Sequence, residues 1–182
     1  MPDWITHFFI AYLIIWTISK IPKYDAALRK YYWFFIIGML SPDIERFINL
    51  IAQQVGNEFF ISIAVTITDI CHSLLGIVII SLFITSFFPH ENDTKYIFLT
   101  VFIGAFGHLL TDAIMWPWAG QGIHFFYPLT GPEFAFSFHL VWPGGFVPLI
   151  VTSCIMVVTI IVDLIQRNFS VLGWRFQWKG VK

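Results

Sequence analysis

Charged residues are scarce in this chain of 182 residues. Asp, Glu, Lys and Arg together make up 12% of it, against roughly 25% in soluble domains. Hydrophobic residues make up 58%, and the mean hydropathy is +0.78. So few charges cannot cover a water-facing surface. The composition therefore indicates an integral membrane protein and excludes a cytosolic globular enzyme, a disordered tail and a secreted disulfide scaffold.

The chain also has a low net charge and few cysteines. The formal net charge is −1, which gives no electrostatic footprint for a nucleic-acid partner. The two cysteines, Cys71 and Cys154, lie in apolar runs, where a small buried hydrophobic residue is the expected role. Neither a disulfide nor a thiolate metal site is predicted.

Long apolar runs supply the candidate membrane crossings, each of which needs about 20 largely apolar residues as a helix. The second run is short and ends at Pro42, after which Ile44–Val55 continues with an amphipathic pattern. The chain start carries no basic region before the first run, so we expect the first helix to be retained rather than cleaved. The sequence predicts an all-α bundle of five transmembrane helices at Trp4–Ser19, Tyr31–Leu40, Ile61–Phe88, Tyr96–Trp118 and Pro143–Ile165.

The distribution of Lys and Arg favours five crossings over four, because cytoplasmic loops carry the excess of positive charge. If the second run crosses, nine of the ten basic residues share one side and Arg46 alone lies opposite; if it does not, they divide five against five. We therefore predict an amino terminus outside and a carboxyl terminus in the cytoplasm of a plasma (inner) membrane. Residues 1–166 form one transmembrane domain, and residues 167–182 form a basic and aromatic cytoplasmic tail that attraction to anionic lipid holds at the membrane. The outer loop at 119–141 is long and rich in aromatic residues, which suits a cover over a pocket or a belt at the membrane interface.

Ionisable residues occur inside the predicted crossings, where they are costly and usually face the protein interior. Asp69 and His72 are three residues apart, and His108 and Asp112 are four apart, so each pair shares one helix face. In the predicted topology these groups lie at matching depths in antiparallel neighbours. The chain also brings three more groups to the same outer side, namely His7, Asp43 and Glu45.

Mixed imidazole and carboxylate groups suit zinc, with manganese or iron as alternatives, better than magnesium or calcium. The predicted ligands are His7, Asp43, His72, His108 and Asp112, with Asp69, His124 and His139 as further candidates. Simpler interpretations stand beside this one. A lone membrane histidine is commonly a hydrogen bond between helices, Asp69 has His72 as a possible partner, and Glu45 beside Arg46 is typical of a surface ion pair.

Five short motifs make the chain resemble the YdjM-like, LexA-regulated inner-membrane proteins that are classed as metal-dependent hydrolases. The resemblance covers about residues 4–130, and its most specific part is the histidine and aspartate block followed by glycine and an aromatic-Tyr-Pro ending. The motifs are Thr6-His7, Pro42-Asp43-Ile44-Glu45, His72-Ser73-Leu74, Gly107-His108-Leu109-Leu110-Thr111-Asp112, and Gly122 followed by Phe125-Phe126-Tyr127-Pro128-Leu129.

The resemblance implies that His7, Asp43, His72, His108 and Asp112 form the polar core of the protein. Two departures accompany it. The family commonly reads His-Arg-Gly-x-Thr-His-Ser where this chain has Ile67–Ser73, so that the first histidine and the arginine are missing, and Glu45 replaces a second aspartate. Because the planar fork of arginine suits phosphate, the first departure weighs against the familiar way of binding a phosphoester.

The leading hypothesis is a metal-dependent hydrolase that acts on a lipid or lipid-linked ester or phosphoester near the outer leaflet, with Asp43 or Glu45 as general base. The alternative is a metal or proton carrier that uses the same residues as a path. Ser81 and Thr100 are the polar residues in the inner halves of the third and fourth predicted crossings, so a blind outer cavity fits an enzyme better. A third interpretation, a structural bundle with polar packing contacts, predicts no bound metal.

Overall fold

The computed structural model describes residues 4–21, 25–88, 93–114, 123–130 and 147–165, and these form helices joined by turns. Within these ranges, seven α-helices and one short 3-10 turn follow one another, which confirms the all-helical class. The elements are α1 (Trp4–Ser19), α2 (Asp25–Leu40), the 3-10 turn (Ser41–Ile44), α3 (Glu45–Val55), α4 (Glu58–Cys71), α5 (Leu74–Ser86), α6 (Thr94–Ile114) and α7 (Val147–Ile165).

The third predicted crossing, Ile61–Phe88, is not one continuous helix. It is broken into α4 and α5, whose axes are bent by 85° at the break. Ser73 causes the restart, because its Oγ accepts a hydrogen bond from the backbone N–H of Gly76 at 3.0 Å and so caps α5. A side chain at Gly76 would place its Cβ 1.8 Å from the carbonyl oxygen of Ile70. The bend therefore depends on the serine cap and on the absence of a side chain at Gly76.

Fewer described helices are long and apolar enough to span a membrane than the five predicted crossings require. By length and composition, α6 is the described helix that passes as a complete span, and α4 and α5 pass only when taken together. The apolar helices at Trp4–Ser19 and Leu149–Val162 are shorter than a full span. Residues 115–118 and 143–146 of the predicted crossings, the 167–182 tail and most of the predicted outer loop lie outside the described residues.

Close packing of α2 against α6 fixes the centre of the bundle. A Cβ at Gly38 would lie 2.2 Å from the carbonyl oxygen of Val101, and a Cβ at Gly104 would lie 2.3 Å from that of Phe35. Only glycine allows two backbones to approach so closely, as is common where membrane helices cross. This crossing brings the carboxyl end of α2 beside the second half of α6.

Two buried apolar clusters flank that crossing. One joins α1 and α2 around Ala11, Ile15 and Met39, with residues of α7 packed against it. The other joins α5 and α6 around Ile77 and Leu109, and it includes Ile123 from the segment that follows α6. Together they hold the ends of α1, α2, α5 and α6 at one end of the bundle.

The outward faces of the bundle are strongly apolar. On α3 and α4, large side chains such as Phe47, Ile51 and Phe59 are more than half exposed, as expected for contact with lipid rather than water. Both cysteines are free; Cys71 is partly buried, but Cys154 is exposed. The prediction of burial is therefore wrong for Cys154, because it lies on an outward face of α7.

Candidate metal centre

Five side chains with metal-ligating atoms meet at one end of the bundle. His7 lies near the start of α1, Asp43 in the 3-10 turn, His72 between α4 and α5, and His108 and Asp112 in the second half of α6. Their exposed fractions run from 0% to 7%. The structure thus brings together the five residues that the sequence analysis singled out as ligands.

The carboxylate of Asp112 lies close to all three imidazoles. Its oxygens are 3.2 Å from Nε2 of His7, 3.6 Å from Nε2 of His72 and 3.3 Å from Nε2 of His108. The Nε2 atoms of His72 and His108 are 3.3 Å apart. Around a zinc ion with bonds of about 2.0–2.1 Å, tetrahedral ligand atoms are separated by about 3.3–3.4 Å. Each of these four distances is therefore close to the separation of two ligand atoms around one zinc ion.

Asp43 lies slightly farther out than Asp112. Its Oδ1 is 3.7 Å from Nε2 of His72 and 3.8 Å from Nε2 of His108, and its Oδ2 is 3.9 Å from Nε2 of His7. Oδ1 also accepts a hydrogen bond of 2.9 Å from Nε of Arg46. Asp43 thus lies beside the other four groups and faces an arginine on its outer side.

Backbone carbonyls orient two of the imidazoles. Nδ1 of His108 is 2.8 Å from the carbonyl oxygen of Met39, and Nδ1 of His72 is 3.1 Å from that of Thr68. A carbonyl oxygen only accepts, so these contacts place the proton on Nδ1 and the lone pair on Nε2. In the neutral imidazoles two Nε2 lone pairs then face each other and a carboxylate, an arrangement that a bound cation or a further proton balances.

Several atoms of the cluster are buried without a hydrogen-bond partner among the described residues. They are Nδ1 and Nε2 of His7, Oδ2 of Asp43, and both carboxylate oxygens of Asp112. Leaving a buried polar atom unsatisfied costs about 1–3 kcal/mol, and more for a charged group. One divalent ion at the centre of the cluster would satisfy Nε2 of His7 and the carboxylate of Asp112 at once, so the residues fit a metal ion.

Two overlapping sets of three residues have suitable ligand spacing: His7, His108 and Asp112 form one, and Asp43, His72 and His108 form the other. His108 belongs to both sets, and its Nε2 has a single lone pair. One lone pair serves one ion, so the two sets describe alternative parts of one site rather than two separate sites.

Glu45 is buried, with 2% of its surface exposed, and it is not the surface partner of Arg46. The side-chain amide of Asn49 donates to Oε2 of Glu45 and to Oγ1 of Thr68, both at 2.9 Å. The surface-pair interpretation is wrong because the first turn of α3 faces α4, and Arg46 pairs with Asp43 instead. Glu45 is therefore linked to the cluster through Asn49 and Thr68, because the carbonyl oxygen of Thr68 contacts Nδ1 of His72.

Asp69 does not join the cluster or pair with His72. Its Oδ1 lies 3.4 Å from Nδ1 of His124, and neither residue belongs to the groups with ligand spacing. The expectation that Asp69 and His72 share a helix face fails because α4 ends at Cys71. The nearby backbone N–H of Leu74 donates to the carbonyl of Phe125 at 2.8 Å. This bond and the contact of His124 with Asp69 hold residues 123–130 beside the helix break. His139 lies outside the described residues.

Four contributors to the site were not identified from the sequence: the carbonyls of Met39 and Thr68, the amide of Asn49 and the guanidinium of Arg46. Backbone carbonyls leave no signal in a sequence. The contact of Arg46 with Asp43 did leave a signal in the sequence, because the two residues are three apart and such pairs share a helix face.

Comparison with known proteins identifies one family. A family model described as YdjM inner membrane protein matches residues 1–174. No curated protein and no solved structure matches the chain.

Proposed function

Because the chain belongs to the YdjM inner membrane protein family, we propose that it is a membrane-embedded, metal-dependent hydrolase that acts on a lipid or lipid-linked ester or phosphoester. The observation that carries this proposal is the convergence of imidazole and carboxylate acceptors around one buried point. Three imidazoles lie around one carboxylate with Nε2–oxygen distances of 3.2–3.6 Å, which suits the ligands of a metal ion.

In this proposal, His7, His72, His108 and Asp112 hold a single ion, and zinc is the metal best matched by their chemistry and spacing. A bound zinc ion would supply Lewis acidity toward the scissile group and lower the pKa of a water molecule. Manganese and iron accept the same ligand types, and elemental analysis distinguishes the three.

Asp43 is the proposed general base. Its Oδ1 is held by Arg46 at 2.9 Å, while its buried Oδ2 has no hydrogen-bond partner among the described residues. Oδ2 is therefore placed to take a proton from an attacking water molecule. The water oxygen would form the new bond to carbon or phosphorus, the ester bond to the leaving oxygen would break, and that oxygen would receive a proton. Glu45, already engaged by Asn49, has a positioning role.

A lipid substrate is supported by the surroundings of the cluster. The α3 and α4 helices adjoin Asp43 and His72 and expose large apolar side chains such as Phe47, Ile51 and Phe59. A soluble substrate gains nothing from such a surface, whereas a lipid approaches along it without leaving an apolar environment.

The positions of the charged residues support the predicted orientation. The cluster lies at the start of α1 and the end of α2, whereas Lys20 and Lys30 lie at the opposite ends of those helices. Lys30 forms an ion pair with Asp93 just before α6, and this hydrogen bond holds the pKa of the Asp93 carboxyl below its usual range. We propose that the basic end faces the cytoplasm and the cluster lies toward the outer leaflet.

The alternative function, metal or proton translocation, requires a polar path from the cluster to the basic end. Along the described parts of α5 and α6, the hydroxyls of Ser81, Thr85 and Thr100 each donate to a carbonyl of their own helix, at 2.6–2.7 Å. Hydroxyls engaged in this way satisfy the helix backbone. This observation favours a closed site over a path.

The test is hydrolysis of short-chain lipid esters and phosphoesters by the purified, zinc-loaded protein, with Asp43→Asn and Asp112→Asn prepared alongside. We expect Asp43→Asn to keep the ion and lose turnover by a factor of about 10²–10⁴, the usual contribution of a general base. Asp112→Asn should lose both. Equal turnover in wild type and both variants would exclude the proposed role of the cluster.

A further inference from the structure

Arg46 connects the buried cluster with the surface. Its side chain is 31% exposed, whereas the side chain of Asp43, to which its Nε donates at 2.9 Å, is fully buried. His7 and His108 are fully buried as well. The contact between Arg46 and Asp43 therefore marks a side of the cluster that a group from outside can approach.

The net charge of the cluster depends on this arginine. Asp43, Glu45 and Asp112 contribute three negative charges when ionised, and one divalent ion offsets two of them. Without Arg46 the assembly would be negative and would repel an anionic group; with it the total is neutral. The described lysines, Lys20, Lys30 and Lys95, lie toward the opposite end of the bundle from the cluster.

We propose that Arg46 binds a negatively charged oxygen of a phosphate ester beside the metal, and so selects phosphoesters over neutral carboxylic esters. This inference rests on the proposed metal-dependent function and names its substrate class. A guanidinium carries five N–H donors, so the bond from Nε to Asp43 is compatible with a further bond to an anion. Its planar fork matches phosphate geometry, which a lysine ammonium does not. A neutral ester presents no anionic oxygen for this group to bind.

The experiment uses the full chain in detergent loaded with Co²⁺, whose visible absorption reports changes at the metal. Inorganic phosphate, dioctanoyl phosphatidic acid and dioctanoylglycerol are titrated into wild type, Arg46→Gln, Arg46→Lys and, as a matched control, Lys95→Gln, which removes an exposed cation from α6. Each titration yields a dissociation constant that does not depend on turnover.

We expect both phosphates to shift the Co²⁺ spectrum of wild type and dioctanoylglycerol to leave it unchanged. Arg46→Gln should weaken phosphate binding about tenfold or more, as expected for the loss of a charge-assisted hydrogen bond. Arg46→Lys should fall between the two, and Lys95→Gln should match wild type. Tighter binding of phosphatidic acid than of inorganic phosphate would identify a lipid headgroup as the source, and equal binding would identify a free phosphate ester.

Several results would overturn the inference while leaving the proposed function standing. One is a Co²⁺-loaded wild type that does not respond to phosphate, and another is Arg46→Gln that binds phosphate as tightly as wild type. Loss of Co²⁺ from both arginine variants would show that Arg46 supports the metal site itself rather than a phosphate ligand. Failure of wild type to bind Co²⁺ would overturn the inference and the proposed function together.

Discussion

Nδ1 of His108 lies 2.8 Å from the carbonyl oxygen of Met39, and this contact determines which ring nitrogen faces the cluster. Nδ1 is directed to α2, so Nε2 faces Asp112 and His72. A fixed tautomer of this kind is the usual support of a metal-bound histidine. The contact depends in turn on how closely α2 approaches α6.

The first prediction concerns that approach. Gly38→Ala should destabilise the protein by about 1–3 kcal/mol, the usual cost of overpacking, because the new Cβ would lie 2.2 Å from the Val101 carbonyl oxygen. Thermal unfolding in detergent measures the change. Gly107→Ala is the matched control, since the nearest atom to its Cβ is Sδ of Met39 at 3.4 Å. Equal melting temperatures for the two variants would contradict the described packing.

The second prediction separates the two aspartates nearest the histidine motifs. Asp112→Asn should lose bound metal, whereas Asp69→Asn should retain it, because Asp69 pairs with His124. The Asp69 side chain is 31% exposed, so its replacement should cost no more than about 1 kcal/mol of stability. Metal analysis of both purified variants is the measurement. Metal loss from Asp69→Asn would place Asp69 in the site after all.

The third prediction distinguishes a positioning role of Glu45 from a role as general base. Glu45→Ala removes the acceptor for Asn49 and should weaken metal affinity about 10–100-fold, as loss of a supporting contact does. Glu45→Gln keeps an acceptor oxygen and should remain near wild type in affinity and turnover. A Glu45→Gln variant with normal affinity and abolished turnover would instead make Glu45 the base.

The fourth prediction concerns orientation. In a background with Cys71→Ser and Cys154→Ser, a cysteine placed at Asn57, in the turn between α3 and α4, should react with a membrane-impermeant maleimide in intact cells. A cysteine at Lys95, at the basic end, should react only after the membrane is opened. The reverse pattern would invert the proposed topology, and labelling of both sites in intact cells would contradict the number of crossings.

Part of this architecture follows from the sequence, and the reasons are physical. The spacing of His108 and Asp112, and the apolar runs around His7 and His72, were enough to predict that these groups meet, because buried ionisable residues need partners. Their role as metal ligands stays a prediction. The break at Ser73 was missed because the run Ile61–Phe88 is apolar on average, and mean hydropathy does not register a helix cap.

The surroundings of the ligands could not be predicted in the same way. Whether Glu45 faces Arg46 or Asn49 depends on the direction in which α3 leaves the 3-10 turn, and that direction is set by packing against α4. The carbonyls that orient His72 and His108 belong to Thr68 and Met39, whose side chains say nothing of this role. These contacts depend on how helices that are distant in the sequence pack together, and local sequence patterns do not reveal that packing.

The presence of a metal site is tested most directly by the metal content of the detergent-purified protein, measured by elemental mass spectrometry beside His108→Ala and a His124→Ala control. We expect about one equivalent of zinc, manganese or iron in wild type and His124→Ala, and its loss from a folded His108→Ala. Wild-type protein without metal after reconstitution with all three ions, or His108→Ala that retains its metal, would show that the cluster is not a metal site.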